Sequence, residues 1–139
     1  MKVLTSTLSA LAMASAVFCQ SALVHFPTDG TSVSAGSSLN VDIIRPNSLS
    51  SSQEVGVVLG LASCNPRCLA ANLSIGRILY NGDFNPQFGN ASQPHQNITV
   101  QIPSDTPKGA AQLNFAHFFL LGASLSPDLE SSSVSITIV

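Results

Sequence analysis

The sequence predicts an all-β domain, an immunoglobulin-like β-sandwich of about seven strands. Short runs of the 139-residue chain alternate apolar and polar residues, as strands with one buried face do. Turn signals rich in Gly, Pro, Asn and Asp separate these runs every ~8 to 15 residues, and no run has a convincing helical pattern. Because Trp is absent and no two Cys are far apart in the predicted domain, an antibody-type domain is excluded. A different all-β topology is the alternative.

Four predicted strands occupy the first part of the domain: residues 23–26, 39–43, 54–61 and 75–80. The third of these strands places Gly56 and Gly60 on one face, where a neighbouring backbone can approach closely. Its other face is predicted to carry the apolar side chains of Val55, Val57, Leu59 and Leu61. A loop rich in Asn, Pro, Gln and Gly follows at residues 84–95.

Three more strands are predicted at residues 98–102, 110–121 and 134–138. The middle run also fits a helical stripe through Leu113, Ala116, His117 and Leu120. Its flanks favour a strand, since Pro and Gly precede it, Gly122 follows it, and strands lie on both sides. Residues 122–129 are predicted to form a loop between the last two strands.

Residues 1–21 are predicted to be a signal peptide and residues 22–139 a single domain. A positive residue, Lys2, precedes an apolar run that is too short for a membrane span, which disfavours a membrane anchor. Small residues permit cleavage after Ala16 or after Ser21. We favour cleavage after Ser21, because a strand-like segment follows at once and only two of the three Cys residues then remain.

Cys64 and Cys68 are predicted to form a local disulfide across a Pro-containing turn in an oxidising compartment. A metal site is the weak alternative, because no second Cys or His pair lies nearby in the sequence. Three Asn-X-Ser/Thr triplets are possible glycan acceptors in a secreted chain, at Asn72, Asn90 and Asn97.

The composition favours a binding protein over an enzyme. Charged residues make up 9% of the chain, and its five Lys and Arg are scattered, so nucleic-acid binding is not expected. No nucleophile motif, paired carboxylates, phosphate-binding Gly loop or calcium loop stands out, and the three His are isolated in the sequence. We therefore expect no catalytic residues, no cofactor and no metal, and we expect a monomer without a membrane span.

Charge depletion and exposed aromatics are typical of the centre of an interface. We predict a partner-binding surface formed by Phe118 and by the loop that follows its strand, with Phe84 and Phe88 as further exposed aromatics. The loop residues in this prediction are Gly122, Ser124, Leu125, Pro127 and Leu129. For any single aromatic, a place in the core is an equally good interpretation.

The segment 97–139 resembles the Nis1 family of fungal secreted effectors (necrosis-inducing secreted protein 1). The resemblance is carried by the turn containing Pro103, Pro107 and Gly109, by the terminal strand, and most distinctively by residues 121–129, LGASLSPDL. Residues 55–62 are similar to the central strand of the family. This chain has Leu121 and Leu125 where the family often has Tyr.

The resemblance implies a protein without enzymatic activity, secreted by a plant-associated fungus. It implies binding to host receptor-like and receptor-like cytoplasmic kinases, suppression of pattern-triggered immunity, and induction of host cell death. Action inside the host cell after uptake is left open. The alternative is an extracellular cell-wall or carbohydrate-binding module that uses its Asn- and Gln-rich loops with Tyr80 or Phe84.

Overall fold

The computed structural model describes residues 21–48 and 50–139, and within them every regular element is a β-strand. The predicted signal peptide lies outside the described residues except for Ser21. The eight strands are β1 (Leu23–Phe26), β2 (Thr31–Val33), β3 (Ser38–Ile44), β4 (Ser52–Ser63), β5 (Arg77–Gly82), β6 (His95–Gln101), β7 (Gly109–Leu121) and β8 (Ser126–Ile138). The described residues include no helix long and apolar enough to cross a membrane.

The strands form two sheets, one of three strands in the order β1-β3-β6 and one of five in the order β2-β8-β7-β4-β5. Buried side chains from both sheets meet in one hydrophobic core, which is the arrangement of a β-sandwich. Val41 and Ile43 of the smaller sheet and Leu59, Leu113 and Phe115 of the larger one are fully buried there. The all-β prediction is confirmed, and the immunoglobulin-like strand arrangement stays a prediction.

The eighth strand, β2, was not among the seven predicted. Its three residues are too short and too polar to give a strand signal, yet they pair in parallel with the end of β8, with Thr31 opposite Ile136 and Val33 opposite Ile138. The remaining strand pairs are antiparallel. The run at 110–121 is a strand, as its flanks predict, and the helical alternative is wrong.

The predicted loop at residues 122–129 is wrong in its second half. Only residues 122–125 form the turn, where Gly122 and Leu125 have positive φ angles of 70° and 52°. The β7–β8 hairpin continues beyond that turn, because Ser126 pairs with Leu121 and Pro127 with Leu120. Pro127 does not prevent this pairing, because a proline without an N–H is tolerated at the beginning of a strand.

A β-bulge in β4 changes which residues face the core. The register of β4 against β7 shifts between Glu54 and Gly56, so that Val55 is an extra residue in the ladder. Val57 and Leu59 are buried as predicted, but Val55 is exposed and Glu54 lies against the buried His117 instead. The prediction that Val55 shares the buried face is therefore wrong.

Candidate functional site

The β7–β8 hairpin carries two different sets of side chains on its two faces. Phe118 pairs directly with Leu129, and the neighbouring rung pairs His117 with Glu130. Successive side chains of a strand point to opposite faces of its sheet. One register therefore places an apolar pair on the outer face and a polar pair on the inner, core-facing side.

The outer face has an exposed apolar surface that we call the outer apolar patch, formed by Val55, Val58, Ala116, Phe118 and Leu129. Leu129 is 68% exposed and Phe118 39% exposed. The five residues line a shallow depression of about 350 Å³ on the surface of β4, β7 and β8. The bulge in β4 contributes to the patch, because it turns Val55 outward next to Gly56, whose pairing partner is Phe118. Asp83 is the one charged residue in the lining of this depression.

The residues predicted to contact a partner do not all lie together. Phe118 and Leu129 meet in the outer apolar patch, and Gly122, Ser124 and Leu125 form the hairpin turn beyond it. Pro127 lies in β8 opposite Leu120. Of the two loop aromatics, Phe88 is exposed, whereas Phe84 is buried in the core and the prediction of its exposure is wrong.

The disulfide and the possible glycan acceptors lie away from the inner face of the hairpin. Cys64 and Cys68 are joined in the connection between β4 and β5, in agreement with the predicted pairing. This connection folds over the outer face of the sheet, where the Asn114 amide donates to the carbonyls of Ser74 and Ile75 at 3.0 and 3.3 Å. The side chains of Asn72, Asn90 and Asn97 are exposed, and their glycosylation stays a prediction.

A buried charge cluster lies on the inner face of the hairpin, and we define it as Arg45, Glu54, His117 and Glu130. The fully buried His117 ring contacts a carboxylate on each side, with Nδ1 2.7 Å from Glu130 Oε1 and Nε2 in a short contact with Glu54 Oε2. The Nε of Arg45 donates to Glu54 Oε1 at 3.0 Å.

Aromatic rings enclose the imidazole of His117. The ring of Phe119 stacks on it with centroids 4.8 Å apart, and the ring of Phe84 meets it edge-on at 5.1 Å. The guanidinium of Arg45 also lies over the ring of Phe119, 5.2 Å from its centroid. These apolar walls reduce the access of water, so the ionic contacts inside are screened less than surface pairs are.

The contacts of the cluster favour its charged form. Burial acts to lower the pKa of His117, but the hydrogen bonds and charges of Glu130 and Glu54 outweigh it, and the pKa is raised. Burial likewise acts to raise the pKa of Glu54, but the hydrogen bonds and charges of His117 and Arg45 outweigh it and the pKa is lowered. A doubly protonated His117 donates to both carboxylates at once.

This arrangement supports the structure of the hairpin. Both nitrogens of His117 contact carboxylates, so neither is left to take a proton from a hydroxyl nucleophile. Across residues 21–48 and 50–139, no group of three or more His, Cys, Asp and Glu side chains is arranged to hold a metal ion.

Sequence reasoning missed the cluster because its members are far apart in the chain. His117 looks isolated in the sequence, because its two contacts, Glu54 and Glu130, lie 63 and 13 residues away along the chain. Glu130 could have been found by extending the β7–β8 hairpin, since it is the direct cross-strand partner of His117. Nothing in the sequence indicates that Glu54 contacts His117, because a regular β4 strand without a bulge would point Glu54 outward.

Comparison with known proteins agrees with the family resemblance. A protein-family model, that of the Nis1 family, matches residues 20–137, which is most of the chain. The match includes all eight strands up to the penultimate residue of β8. No curated protein matches the chain.

Proposed function

The chain belongs to the Nis1 family of fungal effector-type proteins, and on that premise we propose that it is a secreted effector that binds plant immune receptor-associated kinases. By this binding it suppresses pattern-triggered immunity and can provoke host cell death. Its partners are host receptor-like and receptor-like cytoplasmic kinases. The role is non-enzymatic, and the protein acts by occupying a surface of the kinase domain.

The observation that carries this proposal is the outer apolar patch. A phenylalanine and a leucine face each other across β7 and β8 on a sheet face where both are open to solvent. Contiguous exposed apolar surface on a soluble domain is typical of a protein-interaction site. The centre of such an interface is enriched in aromatics and depleted of charge, as the depression around Phe118 is.

A rigid hairpin suits this role. The side chains behind Phe118 and Leu129 belong to the buried charge cluster. His117 has an ionic contact to Glu54 of β4, and Glu54 in turn pairs with Arg45, which directly follows β3. A surface that is already ordered loses less conformational entropy on binding than a mobile loop does. The protein then binds as a preformed surface, without chemistry of its own.

The carbohydrate-binding alternative is weakened by the positions of its aromatic residues. Sugar binding by this chain was expected to use Tyr80 or Phe84. Phe84 is buried in the core, and Tyr80 is half-buried with its hydroxyl donating to the carbonyl of Asp83 at 3.0 Å. Phe84 therefore offers no open face for a sugar, and the side chain of Tyr80 packs partly against the core.

The test is a binding measurement with purified kinase domains of the two host classes, with chitin and glucan in parallel. We expect binding to a kinase domain, and a loss of affinity of about tenfold or more for Phe118→Ser and Leu129→Ser, since central apolar residues commonly contribute that much. Leu73→Ser is the matched control: this leucine is 75% exposed, but it lies in the connection between β4 and β5.

Two results would contradict the proposal. Binding to chitin or glucan with none to either kinase class would favour the cell-wall module. Kinase binding that falls equally for Leu73→Ser and Leu129→Ser would place the contact elsewhere than the outer apolar patch. Circular dichroism and the melting temperature of each variant show that the fold is retained.

A further inference from the structure

The beginning of the domain contacts the buried charge cluster through a backbone nitrogen. The nitrogen of Ala22 donates to Glu130 Oε1 at 2.7 Å, the same oxygen that contacts Nδ1 of His117. Ala22 is buried, whereas Ser21 is exposed. Residue 22 is also the first residue after the cleavage position that the sequence favours.

We propose that Ala22 is the first residue of the mature protein and that its α-amino group forms an ion pair with Glu130 as a fifth member of the buried charge cluster. Cleavage after Ser21 converts the Ala22 nitrogen from a neutral amide into an ammonium group with three hydrogens. A charge-assisted hydrogen bond is about twice as strong as a neutral one. Processing thus strengthens a contact whose geometry is already present.

The charges around this position favour an added cation. Three carboxylates, those of Glu54, Asp128 and Glu130, are accompanied by two cationic side chains, Arg45 and the charged form of His117. The α-ammonium group makes the number of positive and negative groups equal. A pocket of about 360 Å³ is lined by Ser21, Arg45, Asp128 and Glu130, so water can enter the space next to the position from which Ser21 is removed.

The ion pair would join the two sheets at one end of the sandwich. Ala22 immediately precedes β1 of the smaller sheet, and Glu130 belongs to β8 of the larger one. Leu129, the neighbour of Glu130, lies in the outer apolar patch.

The first experiment determines the amino-terminal residue. The full chain with its own leader is secreted from a yeast, and the product is analysed by intact-mass and peptide mass spectrometry. The expected first residue is Ala22. A product that begins at any other residue would overturn the proposal.

The second experiment compares two proteins released from a fusion by proteolysis, one that begins at Ala22 and one that retains Gln20 and Ser21. We expect the Ala22 form to melt about 4 °C higher at pH 6. The α-amino group of an unfolded chain has a pKa of about 8, and a carboxylate partner makes it hold its proton to higher pH in the folded state. The difference should therefore be complete at pH 6 and disappear under strongly alkaline conditions.

Two variants distinguish the direct contact between the Ala22 nitrogen and Glu130 from the effect of nearby negative charge in general. Glu130→Gln should abolish the difference in melting temperature between the two amino termini, whereas Asp128→Asn should retain most of it, because Asp128 does not accept from Ala22. Equal melting temperatures of the two unsubstituted forms at pH 6 would overturn the proposal, and this comparison holds even if Glu130→Gln does not fold.

Discussion

His117 lies directly opposite Glu130 in the β7–β8 ladder, and the same register puts Phe118 opposite Leu129 on the other face of the sheet. The ionic pair and the exposed apolar pair are therefore consecutive rungs of one hairpin. A change in the register of this hairpin by one residue would exchange the two faces. The buried contact of His117 with Glu130 thus helps to specify which side chains the protein presents to solvent.

The buried charge cluster predicts a stability maximum in mildly acidic solution. The raised pKa of His117 means that its contribution is complete below the usual 6.5 and is lost as pH rises through the folded-state pKa. The lowered pKa of Glu54 means that its contribution is complete above the usual 4.5 and is lost as pH falls through the folded-state pKa. We expect the free energy of unfolding, measured with urea from pH 3 to 9, to be highest between these two values.

Histidine variants test whether His117 causes the decrease in the free energy of unfolding above pH 6.5. His117→Gln should remove this decrease, because the titrating group is gone. His95→Gln is the matched control, since His95 also contacts a carboxylate, Asp42 at 3.0 Å, but on the smaller sheet. A free energy of unfolding in the unsubstituted protein that stays constant from pH 5 to 9 would disprove this account of His117.

Removal of one carboxylate from the buried charge cluster should lower the free energy of unfolding substantially. Glu54→Gln leaves Arg45 and His117 without their shared anion, and breaking a buried pair on one side costs about 3 to 5 kcal/mol. We expect the lower end, about 3 kcal/mol, because the side chain of Glu54 is 17% exposed. Urea unfolding at pH 6 measures this change.

An exposed ion pair of the same protein serves as the comparison. Arg77 donates to Asp105 at 2.8 Å, and both side chains are largely exposed. Asp105→Asn should therefore cost at most about 1 kcal/mol. If the two substitutions cost the same, the cluster contributes no more than a surface pair and its proposed structural role is wrong.

The sequence predicted the strands better than the site, for identifiable reasons. Alternating runs such as Leu39, Val41 and Ile43 predict β3 because burial of one face requires that period. The cluster depends on a bulge at Val55, which no local pattern reveals and which moves Glu54 to the core. The exposed fraction of Phe84 could not be predicted either, because it depends on packing against His117, 33 residues further along the chain.

The close approach at Gly60 predicts a steric effect of a single methyl group. A Cβ at Gly60 would lie 2.1 Å from the carbonyl oxygen of Ile75, a backbone atom that cannot move independently. Gly60→Ala should therefore displace the connection between β4 and β5 and cost about 1 to 3 kcal/mol. Faster amide exchange around Ser74 and Ile75, measured by mass spectrometry, would show that the connection has moved.

Gly56 provides a graded comparison in the same strand. Its added Cβ would lie 3.0 Å from the carbonyl oxygen of Gly82, a contact that smaller shifts relieve. Gly56→Ala should cost less than Gly60→Ala and leave exchange at Ser74 unchanged. The opposite order would mean that the connection does not depend on the absence of a side chain at Gly60.

The disulfide is predicted to add little to the stability of the fold. Cys64 and Cys68 are separated by only four positions, so the bond closes a short loop. The loop-entropy relation gives about 2 kcal/mol for a closed loop of ~5 residues. The paired substitution Cys64→Ser with Cys68→Ser should therefore unfold at a lower urea concentration but remain folded at 25 °C, and reduction of the unsubstituted protein should give the same midpoint. This outcome would allow the protein to stay folded in a reducing cytosol, whereas complete unfolding on reduction would confine a working protein to oxidising compartments.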